Sequence, residues 1–472
     1  MRKIRIKNFT LILFFLAIIS SIIWGMPFDR PLGSDAHSFN QAALSILDNG
    51  IFYKSDFMNF MIERSFYPLF IAGVYKISGH YPVVVRLVQV IIFALLTLLV
   101  YKLCQLIFEE RLARLAGFMT ALCYSIASFT SWLYREVFFC TLIFLLIYCL
   151  YQAQIKKKVI WFILAGMVFG MASLTNSIVQ FFIIFIIINF LFLNRKEGFK
   201  KISIKLVWFI LAFIIFVSPW VVNDYINYGR TPFLSKSGFL LAMKAEKMQD
   251  IQGKYIQHLV ANTTGDFFAQ KLFIDYDPSE ARLGMVSYYE WFNMIEQGTD
   301  RKEADAIMRS QGIKYISKHP IMFLEMSFLD FLKFNTPMVP NVRMQHMFAE
   351  PNSHPYLSDF IKGSIILFIR FVYLIFAIFI IYAIVKHIRD WAKMSWIILI
   401  IIYFNLIFSN IHAIARYSVP MYPFYIILLS IGILIVWDKI ISVKKDNLIE
   451  KINLYDRTQK YFNYWRNWFC WG

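Results

Sequence analysis

The sequence predicts an all-α, polytopic integral membrane protein of about ten transmembrane helices, with further helices lying at one membrane face. Two observations carry that reading. Of 472 residues, 59% are hydrophobic and 18% aromatic, above the apolar share of about 45–50% in soluble domains. Apolar runs long enough to cross a bilayer as a helix, about 20 residues, also recur along the chain. They fall near residues 9–26, 83–108, 112–130, 134–153, 159–175, 177–194, 203–221, 361–385, 395–411 and 417–438.

The first run follows the basic start RKIRIK and reads as a true span, because no small-residue cleavage pattern occurs before Met26 in SSIIWGMPFDRP. Beyond it, Phe39, Ala42, Ala43, Ile46 and Leu47 recur at helical spacing opposite Asn40, Gln41, Ser45 and Asp48, and Gly50 ends the pattern. This predicts a short interfacial helix with Ser34 as its N-cap. The Asp35 carboxylate then sits at the positive helix end, where its ionised form is favoured. Residues 66–77 are too few to span and read as re-entrant or interfacial, with Pro68 suited to a first turn. Asn176, between the fifth and sixth runs, predicts a cap. The long segment 222–360 has few apolar residues for its length and reads as a lid without a confident core of its own. Within it Ile313, Ile316, Phe323, Leu324, Phe328 and Leu332 form an apolar stripe broken at Pro320, a surface for lipid or a greasy substrate.

The net charge of +18 suggests nucleic acid until the basic residues are placed on the spans. They gather at residues 2–7, 111–114, 156–158, 195–205 and 386–393 and after Lys439, on alternate sides of successive runs. That is the positive-inside pattern. It predicts cytoplasmic termini and no nucleic-acid partner, with segments 27–82 and 222–360 on the outer face. The basic tail could also touch anionic lipid. The domain reading is an N-terminal transmembrane catalytic module, 1–221, carrying the first outer loop 27–82; an outer-face loop, 222–360; C-terminal spans, 361–438; and a cytoplasmic basic tail, 439–472. Cys104, Cys123, Cys140, Cys149 and Cys470 all avoid the outer loops, so they read as packing residues or free thiols. The sequence has no Walker loop, Gly-rich dinucleotide fingerprint or zinc-type spacing, and nucleotide chemistry is not supported.

Charged residues collect at the predicted outer ends of the spans. Asp35 is one; Glu63 and Arg64 precede Tyr67 and Pro68; Arg135 and Glu136 open the fourth span; His412 and Arg416 share a helical face at the entrance to the last. Successive residues diverge on a helix, so Arg135 and Glu136 should find different partners. An acid at this level suits a general base, and an arginine suits a phosphate held by several hydrogen bonds. Plainer readings are a helix start for Asp35, a topological anchor for Arg135 with Glu136, and a snorkelling anchor for Arg416.

The ordered motifs SDAHSFNQAALSILDNGIFY, RSFYPLFIAGVYKISG, YREVFF, SPWVVNDYINYG and ARYSVPMYPF resemble the GT-C glycosyltransferases. The closest group is glycosyltransferase family 39 with its bacterial relatives, the protein O-mannosyltransferases and lipid A aminoarabinose transferases among them. The resemblance implies a bacterial plasma membrane (inner membrane) enzyme. It would transfer a sugar, with inversion, from a polyprenyl-phosphate donor to a lipid, glycan or protein acceptor at the outer face, among membrane lipids. It further implies Asp35 as the base, Glu136 as the acid that orients the acceptor or tunes Asp35, and Arg416 with Tyr417 as the donor-phosphate site. Arg64 and Arg135 would add substrate-binding cations. Some relatives hold a divalent metal in the regions of Glu63 and His412, although two ligands do not make a site. No other cofactor is implied. The chain departs from the pattern at Ala36, where relatives carry an acid after the aspartate, and at Val222, where relatives often carry arginine. A polysaccharide polymerase or ligase would rely on outer-loop arginines, against which the early Asp35 argues. A lipid-linked-sugar transporter or flippase would call for paired broken helices at mid-membrane, which the sequence does not suggest.

Overall fold

The computed structural model describes residues 2–26, 28–52, 66–196, 199–228, 237–278, 284–336 and 358–442. Among them every regular element is helical. The chain opens with α1 (Arg2–Gly25), α2 (Ser34–Asn49), α3 (Phe66–Ser78), α4 (Pro82–Ile107) and α5 (Glu110–Ala121). A 45° bend joins α5 to the helical stretch Tyr124–Ser131. Then come α6 (Glu136–Lys156), α7 (Val159–Thr175), α8 (Phe182–Leu193) and α9 (Phe199–Tyr228). Seven of the described helices are long and apolar enough to cross a membrane, or eight if the bent pair is one span; α7 and the stretch Ser177–Leu193 are shorter apolar helices. All ten expected runs are therefore helical.

The spans share one large core. α6 lies at its centre, with most of its residues from Val137 to Ala153 buried and Phe144 stacked on Phe424 at 5.0 Å. Glycine allows a close helix contact in this half: a side chain on Gly166 would meet the Phe209 carbonyl at 2.2 Å, so α7 and α9 touch backbone to backbone. The run of α6 from Glu136 to Lys156 covers about 30 Å, one hydrocarbon thickness, which leaves Glu136 and the basic cluster at opposite membrane boundaries.

The segment after α9 forms α10 (Ser237–Asp250), α11 (Tyr255–Thr264), α12 (Asp266–Leu272), α13 (Met285–Glu296), α14 (Arg301–Lys318) and α15 (Pro320–Asn335). The break at Pro320 is as expected. The expectation that this segment lacks a core is corrected: Phe239, Trp291 and Met308 form one small cluster, and Met248, Ile251, Met326 and Leu329 another. Close approach makes them, since a side chain on Gly238 would lie 1.9 Å from the Asp305 carbonyl. The last spans are α16 (Asp359–His387), α17 (Trp391–Asn410) and α18 (Ala415–Ser442), the last opening in a 3-10 turn, Ala415–Met421.

Three readings of α2 change in the structure. Gly33, not Ser34, is the N-cap, and Asp35 stays in the first turn. Asn40, expected on the wet face, is buried and accepts the Tyr75 hydroxyl at 2.6 Å, while Leu47, expected on the apolar face, is exposed. The cause is the partner. α2 packs on α3, through Phe39, Ala42 and Ala43 against Tyr67, Ile71 and Ala72, and α3 supplies its own polar group.

Candidate active site

Three elements meet where α2, α6 and α18 begin. Asp35 lies in the first turn of α2, Glu136 is the first residue of α6, and Arg416 is the second residue of α18. Arg416 Nη2 lies 2.6 Å from Asp35 Oδ2, and its Nε lies 3.1 Å from Glu136 Oε1. The guanidinium also lies 4.8 Å from the Tyr134 ring and 5.8 Å from that of Tyr417, within cation–π range. Glu136 is buried, and its Oε2 has no hydrogen-bond partner among the described residues. Among the described residues, one guanidinium thus bridges two carboxylates.

The stretch before α6 is held rigid from below. Gln89 of α4 donates to the carbonyls of Thr130 at 3.1 Å and Trp132 at 2.7 Å, and accepts the Tyr67 hydroxyl at 2.9 Å. Trp132 stacks on Tyr134 at 5.3 Å and carries the Arg30 guanidinium 4.8 Å above its ring. Arg30 donates to the Gly25 carbonyl at 2.9 Å; burial, with Arg86 nearby, pulls its pKa down to about 10. Aromatic and amide contacts thus fix Glu136 relative to Asp35.

The remaining sequence candidates go elsewhere. Arg135 turns to the end of α7 and donates to the Thr175 carbonyl at 3.0 Å, the divergence from Glu136 that adjacency required. Asn176 caps the following turn by accepting from the Ile178 amide. Glu63 and Arg64 lie outside the described residues. His412 does not share a helical face with Arg416, because α18 begins only at Ala415. It is buried beside a second charged cluster that sequence reasoning missed.

In that cluster Lys244 and Lys247 of α10 enclose Asp330 of α15, all three fully buried. Lys244 Nζ donates to Asp330 Oδ2 at 2.9 Å and to the Ser409 carbonyl at 2.8 Å; Lys247 Nζ reaches the two carboxylate oxygens at 2.7 and 2.9 Å. The two ammonium groups hold Asp330 below the usual carboxylate range against the opposing effect of burial, and burial lowers Lys244 to about 8. Burial, then the charge of Lys247, pushes His412 down to about 3. A neutral imidazole among lysines is a poor place for a divalent cation. Among the described residues no group of three or more His, Cys, Asp or Glu could hold a metal ion. The legible signal was KAEK, two lysines three apart and hence on one helical face.

Residues 65–222 match the family model of dolichyl-phosphate-mannose-protein mannosyltransferases. No curated protein matches the chain. The oligosaccharyltransferase of Archaeoglobus fulgidus in its apo form superposes with a TM-score of 0.52 at 13% identity, over 94% of this chain and 52% of that one. The same enzyme, AglB, in complex with an inhibitory peptide and a dolichol-phosphate gives 0.51 at 12% identity, over 93% and 51%. The chain has a GT-C fold, as its motifs led one to expect. It is a multi-pass membrane protein. It spans about half the length of the archaeal enzyme. ArnT from Cupriavidus metallidurans bound to undecaprenyl phosphate aligns more loosely, with a TM-score of 0.41 at 12% identity over 90% of this chain and 77% of that one.

Proposed function

We propose that the chain is a membrane glycosyltransferase that moves a sugar from a polyprenyl-phosphate carrier to a hydroxyl-bearing lipid, glycan or protein acceptor. The observation that carries the proposal is Arg416 held between Asp35 and Glu136 at the membrane boundary of the bundle. A phosphate-linked sugar already has a competent leaving group, so the protein must supply a cation for the departing charge and a base for the acceptor. In this reading Arg416 is the cation and Asp35, in contact with it at 2.6 Å, is the base.

In the proposed step Asp35 takes the acceptor's hydroxyl proton as that oxygen bonds to the anomeric carbon. The bond from that carbon to the phosphate oxygen breaks, and the carrier leaves as a phosphate monoester with one more negative charge. Arg416 has five N–H donors, of which two face the carboxylates. Phosphate bound to the others competes with Asp35 for the guanidinium, which weakens the Asp35 ion pair and frees the carboxylate to act as a base when donor is present. Glu136, whose buried Oε2 has no hydrogen-bond partner among the described residues, is given the role of orienting the acceptor or tuning Asp35. Tyr134 and Tyr417 border the guanidinium and shape the groove. No metal is assigned a step. The site is proposed to face the outside of a bacterial inner membrane, with both termini cytoplasmic.

A labelled polyprenyl-phosphate sugar offered to the purified protein in sealed liposomes tests the proposal. Label appearing on an acceptor supports it. Label crossing the bilayer without changing carrier would make the protein a transporter, and neither outcome would leave it without the proposed activity.

A further inference from the structure

Four side chains form a continuous series from the loop after α1 to Arg416. The Arg30 guanidinium lies 4.8 Å from the Trp132 ring, Trp132 stacks on Tyr134 at 5.3 Å with the two planes 20° apart, and the Tyr134 ring lies 4.8 Å from the Arg416 guanidinium. The loop end of the series is clamped. Arg30 Nη2 donates to the carbonyls of Gly25 at 2.9 Å and Met26 at 3.3 Å, and Arg86 Nη2 donates to the Arg30 carbonyl at 2.7 Å. Gln89 donates to the Trp132 carbonyl at 2.7 Å. Space is tight around both members of the loop: a side chain on Gly25 would meet Thr130 Oγ1 at 3.2 Å, and one on Gly33, the N-cap of α2, would meet the Tyr134 hydroxyl at 3.9 Å. Tyr134 therefore borders the start of the helix that carries Asp35 as well as Arg416.

We infer that Trp132 is a positioning residue of the transfer reaction, acting through Tyr134 to hold the plane of the Arg416 guanidinium while the ion pair between Arg416 and Asp35 is broken and remade. The inference rests on the glycosyltransferase reading, in which Asp35 takes a proton and phosphate competes for Arg416. At that moment the 2.6 Å contact to Asp35 loses its charge, and of the two carboxylate contacts only the one from Nε to Glu136, at 3.1 Å, keeps it. A single contact fixes a point. A phosphate held by two N–H groups of one guanidinium requires the whole plane to be set, because those donors lie in it. An aromatic face supplies that restraint, and its attraction for a cation comes from the ring quadrupole, so it outlasts the protonation of Asp35. The Tyr134 ring is itself set by stacking on Trp132, and Trp132 lies against the clamped Arg30.

The test uses the full-length protein in nanodiscs and measures transfer from a labelled polyprenyl-phosphate sugar per folded molecule. Trp132→Leu should lower kcat/KM about three- to tenfold, the scale of one aromatic contact, and Trp132→Phe, which keeps a ring face, should retain most of the parent's value. In an Arg416→Lys background, where no guanidinium plane remains to be held, Trp132→Leu should cost about twofold or less. Equal losses in the two backgrounds, or a loss in Trp132→Phe as large as in Trp132→Leu, would reduce Trp132 to packing and overturn the inference. Should Trp132→Leu fold poorly, Arg30→Gln frees the other end of the series and should give a kinetic loss of the same kind, also smaller beside Arg416→Lys. A second readout needs no turnover. In protein labelled with 5-fluorotryptophan, the fluorine resonance that disappears in Trp132→Phe should shift on Arg416→Lys, and a resonance that stays in place overturns the inference in a protein that transfers sugar. A parent that transfers none removes the glycosyltransferase reading instead, and the role of Trp132 in transfer goes with it, even where the resonance shifts.

Discussion

At the scale of single residues, Arg416 joins two acids that lie 381 and 280 positions away in sequence, and its removal has separable effects. Arg416→Ala should slow transfer and weaken donor binding together, and it strands the buried Glu136 carboxylate at a cost of order 3–5 kcal/mol. Adding Glu136→Gln should recover much of the stability and none of the activity. Thermal unfolding in detergent, compared with turnover, separates the two; equal recovery of both would reduce the arginine to a structural tie. Asp35→Asn keeps the shape of the side chain but cannot take a proton. Transfer should fall by roughly two orders of magnitude or more, with donor binding little changed, whereas a mere helix-end role is worth about 0.3–1 kcal/mol of stability and no activity. Near-normal turnover by purified Asp35→Asn would remove the base. The sequence made these residues legible because each opens a helix beside a turn signal. Tyr134 was not legible, since an aromatic beside a charge is ordinary at a membrane boundary and only the fold turns its ring toward Arg416.

At the scale of elements, the buried Lys244–Asp330–Lys247 cluster ties α10 to α15 and, through the Ser409 carbonyl, to the end of α17. Asp330→Asn leaves two buried ammonium groups without a countercharge. It should cost about 3–5 kcal/mol and appear as faster amide exchange across α10 and α15 than in α6. A joint replacement of all three by apolar residues of similar volume should restore protection; if Asp330→Asn exchanges like the parent, the tie is energetically idle. The pH dependence has a definite sign. Asp330 and His412 both have depressed folded pKa values, so the unfolded state takes protons that the folded state refuses. For His412 that loss of stability begins as pH falls below about 6.5 and continues to about 3, at up to about 1.4 kcal/mol per pH unit. The protection of α10, with each exchange rate taken relative to the intrinsic rate at that pH, should therefore fall between pH 6.5 and 5, and His412→Gln should flatten the trend; a trend that survives the substitution would place the titration elsewhere. The helices of this segment were legible from Pro320 and the apolar stripe, but their packing was not. Glycines at helix crossings, such as Gly238 against Asp305, have no signature in periodicity. α2 shows the same limit: its period was readable, but which face met α3 depended on a hydroxyl from Tyr75.

At the scale of the whole molecule, charge and fold divide the protein into two ends. Arg111 pairs with Asp438 at 2.6 Å, and Gln154 donates to the Ala392 carbonyl at 2.9 Å, so the basic connections meet at one end of the bundle. Asp35, Glu136 and Arg416 meet at the other, about 30 Å away along α6. The spans were the most legible part of the chain because bilayer thickness imposes their length on any sequence that crosses it. Their sidedness rests on the basic residues alone, through the positive-inside bias, and it can be tested directly. In a protein without native cysteines, a cysteine at Asp266 should react with an impermeant thiol reagent added outside intact cells, and one at Lys157 should react only after permeabilisation. The Asp266 site suits the probe because it lies on α12 beside a cavity that Ala415, the residue before Arg416, also lines, so its sidedness reports that of the proposed reaction. The reverse pattern would put the active site on the cytoplasmic face, where the acceptor would have to be a cytoplasmic molecule. Labelling of both sites from outside would mean that the polypeptide enters the membrane in two orientations, and the Lys and Arg asymmetry would then no longer account for its topology.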